Sequence, residues 1–537
     1  MQHIKKSDLL LFGIFLLFAF WLMNKSFGYN ASGHAFRIAR HQLGDFGLHL
    51  SLIRSFSWGN NFPAQLPFFP GRPLPYHYGF DLTVGLLERA GIRIDIALNG
   101  LSALAFAVAL FYIYRLTGIL FGRNVTTGIL SVLLFIFHSN LTFVDFIKQN
   151  SIGPDLIRRF WYLPDYLNKG PFDGSTISLF FTLNVLLNQR HLIVALATSL
   201  GVIVYLLPRL MNKRKIPLTA LIGTGLLLGM IFWIHTLIFA ANLIVIGLLF
   251  IYFHQGKRLA ALYVAALLVA FPRIADLLQY RDPDLGYKWL NPGFLAPRPL
   301  TVAGFFAYWW QNLGIAPFVL AYAIAIAAPK ARKLFWSVVP LFVIANVFQL
   351  SYRIDHNHTL INYFLIFTNI FIAYAIIEMW RRNVCMKCAS LVLVILLTAS
   401  GVVDMMAVKN DFQFAVPDAP TDAFMQWIKT STSPNAVFLS REDTLDPVTL
   451  AGRRNYFGAT YYGEVMGYPI SERRRNATRF FEAKSDTDLH DAKSNNIDYI
   501  AIPTHPPANF RYIIDRSVFD TNLTVSYRDD RVTVYRL

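Results

Sequence analysis

The residues best suited to chemistry cluster early in the chain. Residues 44–54 read Gly-Asp-Phe-Gly-Leu-His-Leu-Ser-Leu-Ile-Arg. If a helix starts near Asp45, then Asp45 and His49 lie at i and i+4 on one face. A carboxylate beside an imidazole suits proton abstraction or metal binding. The same spacing also fits a plainer arrangement, with Asp45 capping the helix and His49 at the membrane interface. Leu48, Leu52 and Phe56 would then face the membrane, and Arg54 ends the run. Further on, His77 and Asp81 repeat the i, i+4 pairing where another helix is expected to open, although Tyr76, Tyr78 and Phe80 would equally serve an aromatic belt.

A second set of candidates is scattered through the rest of the chain. Residues 353–359 read Arg-Ile-Asp-His-Asn-His-Thr. Asp355 could cap the following helix, or Arg353 and that helix end could hold a phosphate, with His356 and His358 beside them. Gln189 and Arg190 stand at the end of an apolar segment, and His235 lies between two others. An arginine at that depth can reach a lipid phosphate. Asp145, Asp155, Arg158, Arg159, Asp165 and Asp173 fall in one polar stretch. The chain carries no G-x-x-x-x-G-K-[ST] loop, no H-E-x-x-H and no G-x-S-x-G, so nucleotide-driven or zincin chemistry has no support.

What must position these residues is a membrane. The chain has 537 residues, 55% of them hydrophobic and only 15% charged. Soluble domains carry about 25% charged residues. Its mean hydropathy is +0.42. The net charge of +17 is spread between apolar runs, not gathered into a patch, so it speaks for membrane orientation and against nucleic acid. About eleven runs reach the length of a membrane span, near 8–24, 95–121, 125–145, 191–209, 217–234, 236–253, 258–275, 313–328, 334–351, 360–380 and 388–407. The first follows Lys5 and Lys6 without a small-residue cleavage site, as in an uncleaved signal anchor.

With Lys5 and Lys6 placed in the cytoplasm, the short basic clusters all fall on that side. They are Arg115 with Arg123; Lys213, Arg214 and Lys215; Lys257 with Arg258; Lys330, Arg332 and Lys333; and Arg381, Arg382 and Lys387. The long polar segments 25–93, 146–190 and 273–312, the short one 351–359 and the tail from 408 then lie outside. Runs 48–58 and 177–187 are amphipathic enough to lie along the membrane surface. The tail has strand-like runs at 436–439, 499–502 and 532–535 and a helix over 421–429, which predicts a small α/β domain. Cys385 and Cys388 are the two cysteines. They supply half the ligands of a structural zinc site and read as free thiols. The tail lacks cysteine, which favours a bacterial inner (plasma) membrane.

The pattern resembles the GT-C superfamily of membrane glycosyltransferases, and within it a branch of bacterial membrane proteins. The likeness covers nearly the whole chain. It rests on 44–49 with Phe62-Pro63 and Tyr76-His77, on 188–190, on 233–236, on 355–357, and in the tail on 435–439 and 450–454. It implies a polytopic helical membrane domain over 1–407 with a large outer loop, 25–93, and an extracytoplasmic α/β domain over 408–537. It implies sugar transfer from a polyprenyl-phosphate carrier to a glycan, lipid or protein acceptor. Asp45 would be the base, aided by His49. Arg54, His77, Asp81, Arg190, His235, Arg353, Asp355, His356 and His358 would bind substrates. Many members place a second acidic residue beside the first. Here the neighbours are Gly44 and Phe46, so Asp155, Asp165 or Asp355 would have to supply it. Some members use a divalent cation, for which Asp45, Asp155 and Asp355 are the candidate ligands. An O-antigen-type polymerase or ligase is the rival enzyme, and a membrane transporter the rival of another class. Transport would need ionisable residues near the midplane of the bilayer, where this chain has few.

Overall fold

A computed structural model describes residues 5–138, 140–150, 152–167, 182–279 and 288–537. Asp173, 177–181 of the amphipathic run 177–187, and 280–287 of the third outer segment lie outside the described residues. The described residues are mostly helical, at 66%. Over the described residues it falls into two units. One holds 5–26, 99–274 and 288–412, and the other holds 27–98, 275–279 and 413–537. The boundary expected near 408 therefore has a second half, because the loop 27–98 belongs with the tail.

The first unit is a helical bundle with an apolar core. Six helical stretches lying wholly or mostly in this unit are long and apolar enough to cross a membrane: Lys6–Ser26, Ile94–Phe121, Arg190–Met211, Gly256–Leu278, Ile354–Trp380 and Val384–Asn410. Counting each of two bent helix pairs as one span makes eight; one pair is Val302–Leu313 with Ala316–Ile326, bent by 83°. Leu218–Ile234 and Thr236–Tyr252 are helices of 17 residues each. At 1.5 Å per residue each reaches about 25 Å, short of the ~30 Å hydrocarbon core. Pro329–Val347 spends its first turn on Lys330, Arg332 and Lys333, which leaves a shorter apolar stretch. Helices thus occupy the eleven expected segments, and six to eight of them have the length and composition of a span.

The second unit is built on three small sheets. Phe27–Asn30, Ala35–Ala39 and Gln413–Pro417 pair antiparallel in that order, which draws the loop and the tail into one sheet. Gln65–Leu66 pairs with Phe69–Pro73. The tail carries a five-stranded sheet in the order Arg454–Asn455, Val437–Leu439, Tyr499–Pro503, Val532–Arg536, Thr524–Arg528. Its first three strands run parallel and its last two antiparallel to their neighbours. Helix Ala423–Ser431 precedes the strand Val437–Leu439, and helices Ile470–Phe481 and Asp486–Ser494 both lie between the strands Arg454–Asn455 and Tyr499–Pro503. The expected strand runs and the expected helix of the tail are all present.

Candidate active site

In the second unit, helix Leu43–Ser57 is the backbone of the site. It starts two residues earlier than expected, so Asp45 lies in its first turn and does not cap it; the cap position belongs to Gln42, whose side chain makes no capping bond. Leu48, Leu52 and Phe56 do not face a membrane. They are 6%, 0% and 2% exposed, and every residue from Phe46 to Ser57 is buried. The helix lies against Gly79–Arg89 and the short tail helix Pro447–Leu450. Gly85 permits the first approach, because a Cβ there would come within 2.8 Å of both the Ile53 carbonyl and the Phe56 Cβ. An amphipathic pattern fits a surface helix and a helix packed inside a protein equally well.

This packing decides which residues meet. His49 Nδ1 lies 3.0 Å from each oxygen of Asp81, and both side chains are buried. Asp81 sits in the first turn of Gly79–Arg89. The expected His77–Asp81 pair is replaced in this role by His49–Asp81, since helix packing brings residues 32 apart together. His77 is half-buried and its ring lies 3.9 Å, centroid to centroid, from that of Tyr76. Burial pushes the half-buried Asp45 carboxyl above the usual carboxylate range, and His49 draws it partly back. Tyr76 is pushed well above its ordinary value by burial and then by Asp81 and Asp45. Its ring centroid is 6.4 Å from that of His49. Asp45, His49, Asp81 and Tyr76 thus form one group of titratable side chains, with the imidazole oriented by a carboxylate, as a general base or a charge-stabilising group requires. The acidic residue that the fold brings to His49 is Asp81.

Arg54 is placed otherwise than expected for a substrate ligand. It is 1% exposed. Its Nη1 and Nη2 donate to the two oxygens of Asp418 at 3.1 and 3.0 Å, its Nε faces Glu88 Oε1 at 3.0 Å, and Trp58 covers it at 3.4 Å. Arg54 is a strut between the site helix and the tail.

The described residues of this group do not form an all-protein cage of the kind calcium takes, with about six to eight oxygen ligands. Asp81 turns both oxygens to His49, and Asp45 is the other carboxylate of the group. Asp155 is exposed in the first turn of Pro154–Trp161. Asp355 is bound to Arg353 at 2.7 and 3.0 Å.

No protein-family model matches the chain, and no curated protein matches it.

The remaining candidates lie in the helical unit. Arg190 is 2% exposed and opens Arg190–Met211. It donates to the Leu187 carbonyl at 2.9 Å, to Ser26 Oγ at 2.5 Å and to the Met23 carbonyl at 3.2 Å, and it also contacts the Met23 sulfur, so it fastens the end of the first helix. His235 occupies the extended break between its two helices and stacks on His191, with centroids 5.4 Å apart. Arg353 and Asp355 pair with each other, and His356 Nδ1 lies 2.5 Å from Ser351 Oγ. His358 meets Asn362 at 3.0 Å and Gln189 at 3.4 Å. These four regions supply a histidine-rich end to the bundle.

Sequence reasoning missed Tyr462, Glu88 and Asp418. Asp418 and Tyr462 are 364 and 418 residues from their partners on the site helix. No local spacing signals contacts at that range.

Proposed function

We propose that the chain is a membrane glycosyltransferase that moves a sugar from a polyprenyl-phosphate carrier to a glycan, lipid or protein acceptor. In this reading it has eleven spans in a bacterial inner membrane, with the N-terminus in the cytoplasm and the second unit outside. The observation that carries the reading is the group Asp45, His49 and Asp81: a carboxylate of raised proton affinity next to an imidazole held by a second carboxylate. Asp45 takes the proton of the acceptor hydroxyl as the acceptor oxygen attacks the anomeric carbon. The bond from that carbon to the carrier phosphate breaks, and the phosphate leaves on the lipid. His49 is kept in one orientation by Asp81 and steadies the charge that develops.

Asp45→Asn keeps the shape and removes the base. In proteoliposomes supplied with lipid-phosphate sugars, the variant is expected to insert and fold normally and to transfer no sugar. Full transfer by Asp45→Asn would remove Asp45 from the mechanism. Turnover with diphosphate-linked oligosaccharides but not monophosphate sugars would point to the polymerase or ligase class.

A further inference from the structure

The tail touches the site helix along one line. Tyr462, in helix Thr460–Val465, donates its hydroxyl to the carbonyl of Gly44. The backbone of Gly47 is covered by Thr444 and Tyr462: a Cβ there would lie 2.7 Å from the Thr444 carbonyl and 3.0 Å from the Tyr462 hydroxyl. Ser51 Oγ donates to Thr449 Oγ1 at 2.9 Å, and both residues are fully buried. Residues 44, 47 and 51 share one helical face. Tyr462 itself is 4% exposed, and its ring packs on Phe68 at 5.3 Å. The carbonyl that Tyr462 binds belongs to the residue next to Asp45, and burial, then the Asp45 carboxylate, push the Tyr462 hydroxyl well above the ordinary tyrosine value.

Resting on the transfer reading above, we infer that residues 444–462 are a working part of the site and that Tyr462 is the residue that positions Asp45. A tail serving only to bind acceptor would have no reason to seat a buried hydroxyl on the first turn of the helix that carries the base. The bond from Tyr462 ties that turn to the tail and limits the water that reaches the half-buried carboxyl. Loss of the hydroxyl frees the turn, lets water in, and lowers the share of Asp45 that stays protonated near neutral pH.

The test uses the full chain in nanodiscs and the variant Tyr462→Phe, which keeps the ring and loses the hydroxyl. Dicyclohexylcarbodiimide, which reacts with protonated carboxyls in apolar surroundings, is the probe, and modification of Asp45 at about pH 6 is read by mass spectrometry. The variant is expected to cut the labelling rate about threefold, the change that half a pKa unit makes. With a lipid-phosphate sugar, kcat should fall about tenfold or more at an unchanged donor KM, since misplacing a catalytic group acts on the chemical step. Labelling equal to wild type overturns the inference. If Tyr462→Phe does not fold, Thr449→Val loosens the same segment at Ser51 and is judged by the same labelling. Altered labelling in a protein that shows no transfer at all upholds the positioning role while removing the transfer reading.

Discussion

Replacing Arg54 by methionine separates a structural cation from a substrate-binding one. The side chain keeps most of its bulk, so the change removes charge and hydrogen bonds from a buried place. Two carboxylates, Glu88 and Asp418, lose the guanidinium that meets them at 3.0–3.1 Å, and Trp58 loses the cation stacked 3.4 Å from its ring. Breaking a buried ion pair from one side costs about 3–5 kcal/mol. For a unit of roughly 200 residues, each kcal/mol lowers Tm by about 2–4 °C, so a loss of ~4 kcal/mol predicts a fall of roughly 8–16 °C. The deficit should also depend on pH. Burial holds the Glu88 carboxyl above its usual range, while Arg54 pulls it down. A group whose pKa is raised by folding takes up a proton on folding, and stability then falls as pH rises through that raised value. Without Arg54 the rise is larger and the total loss of stability greater. The deficit of Arg54→Met measured by thermal unfolding in detergent should therefore be greater at about pH 7.5 than at about pH 5. Neutralising the partners as well, with Glu88→Gln and Asp418→Asn, should recover part of the loss, because a buried ion cluster replaced as a whole costs less than one left half-paired. An unchanged Tm combined with a raised donor KM would refute this argument and restore Arg54 as a phosphate ligand.

Further outcomes follow from the same geometry. The proposed transfer requires Asp45 ionised, and burial holds its carboxyl above the ordinary value; on that proposal the acid limb of the pH–rate profile should lie above the usual carboxylate value of about 4, and an acid limb at or below that value would contradict a buried base. Gly85→Ala places a Cβ 2.8 Å from the Ile53 carbonyl and from the Phe56 Cβ. It should force the two site helices apart, cost about 1–3 kcal/mol in unfolding experiments and reduce transfer through the His49–Asp81 pair, whereas a variant of wild-type stability would show that the helices do not need so close an approach.

Much of the architecture was legible in local pattern. Apolar runs of span length are written in consecutive residues, because lipid demands that a helix satisfy its own backbone hydrogen bonds and bury no charge. Hence helices stand at 217–234 and 236–253 within a residue or so of where they were expected, with His235 at the break. The tail strands at 436–439, 499–502 and 532–535 were readable for a similar reason, since short β-rich runs between turns need no distant partner to be recognised. Asp45 and His49 were picked out by their types and their single-turn spacing.

What the spacing could not say is whom each residue meets. His49 turns to Asp81, not to its own helix neighbour alone, because Gly85 lets a second helix close on the first. Arg54 looked like a cation for a ligand and became a strut, because the strand Gln413–Pro417 brings Asp418 to it from 364 residues away. Tyr462 reached the first turn of the site helix in the same way. The sequence alone determined the membrane character, the helical segments and the pair of residues from which the site grows. Tertiary structure alone decided the partners of that pair, because burial and contact between distant segments set proton affinity and orientation, and neither is encoded in the spacing of neighbours along the chain.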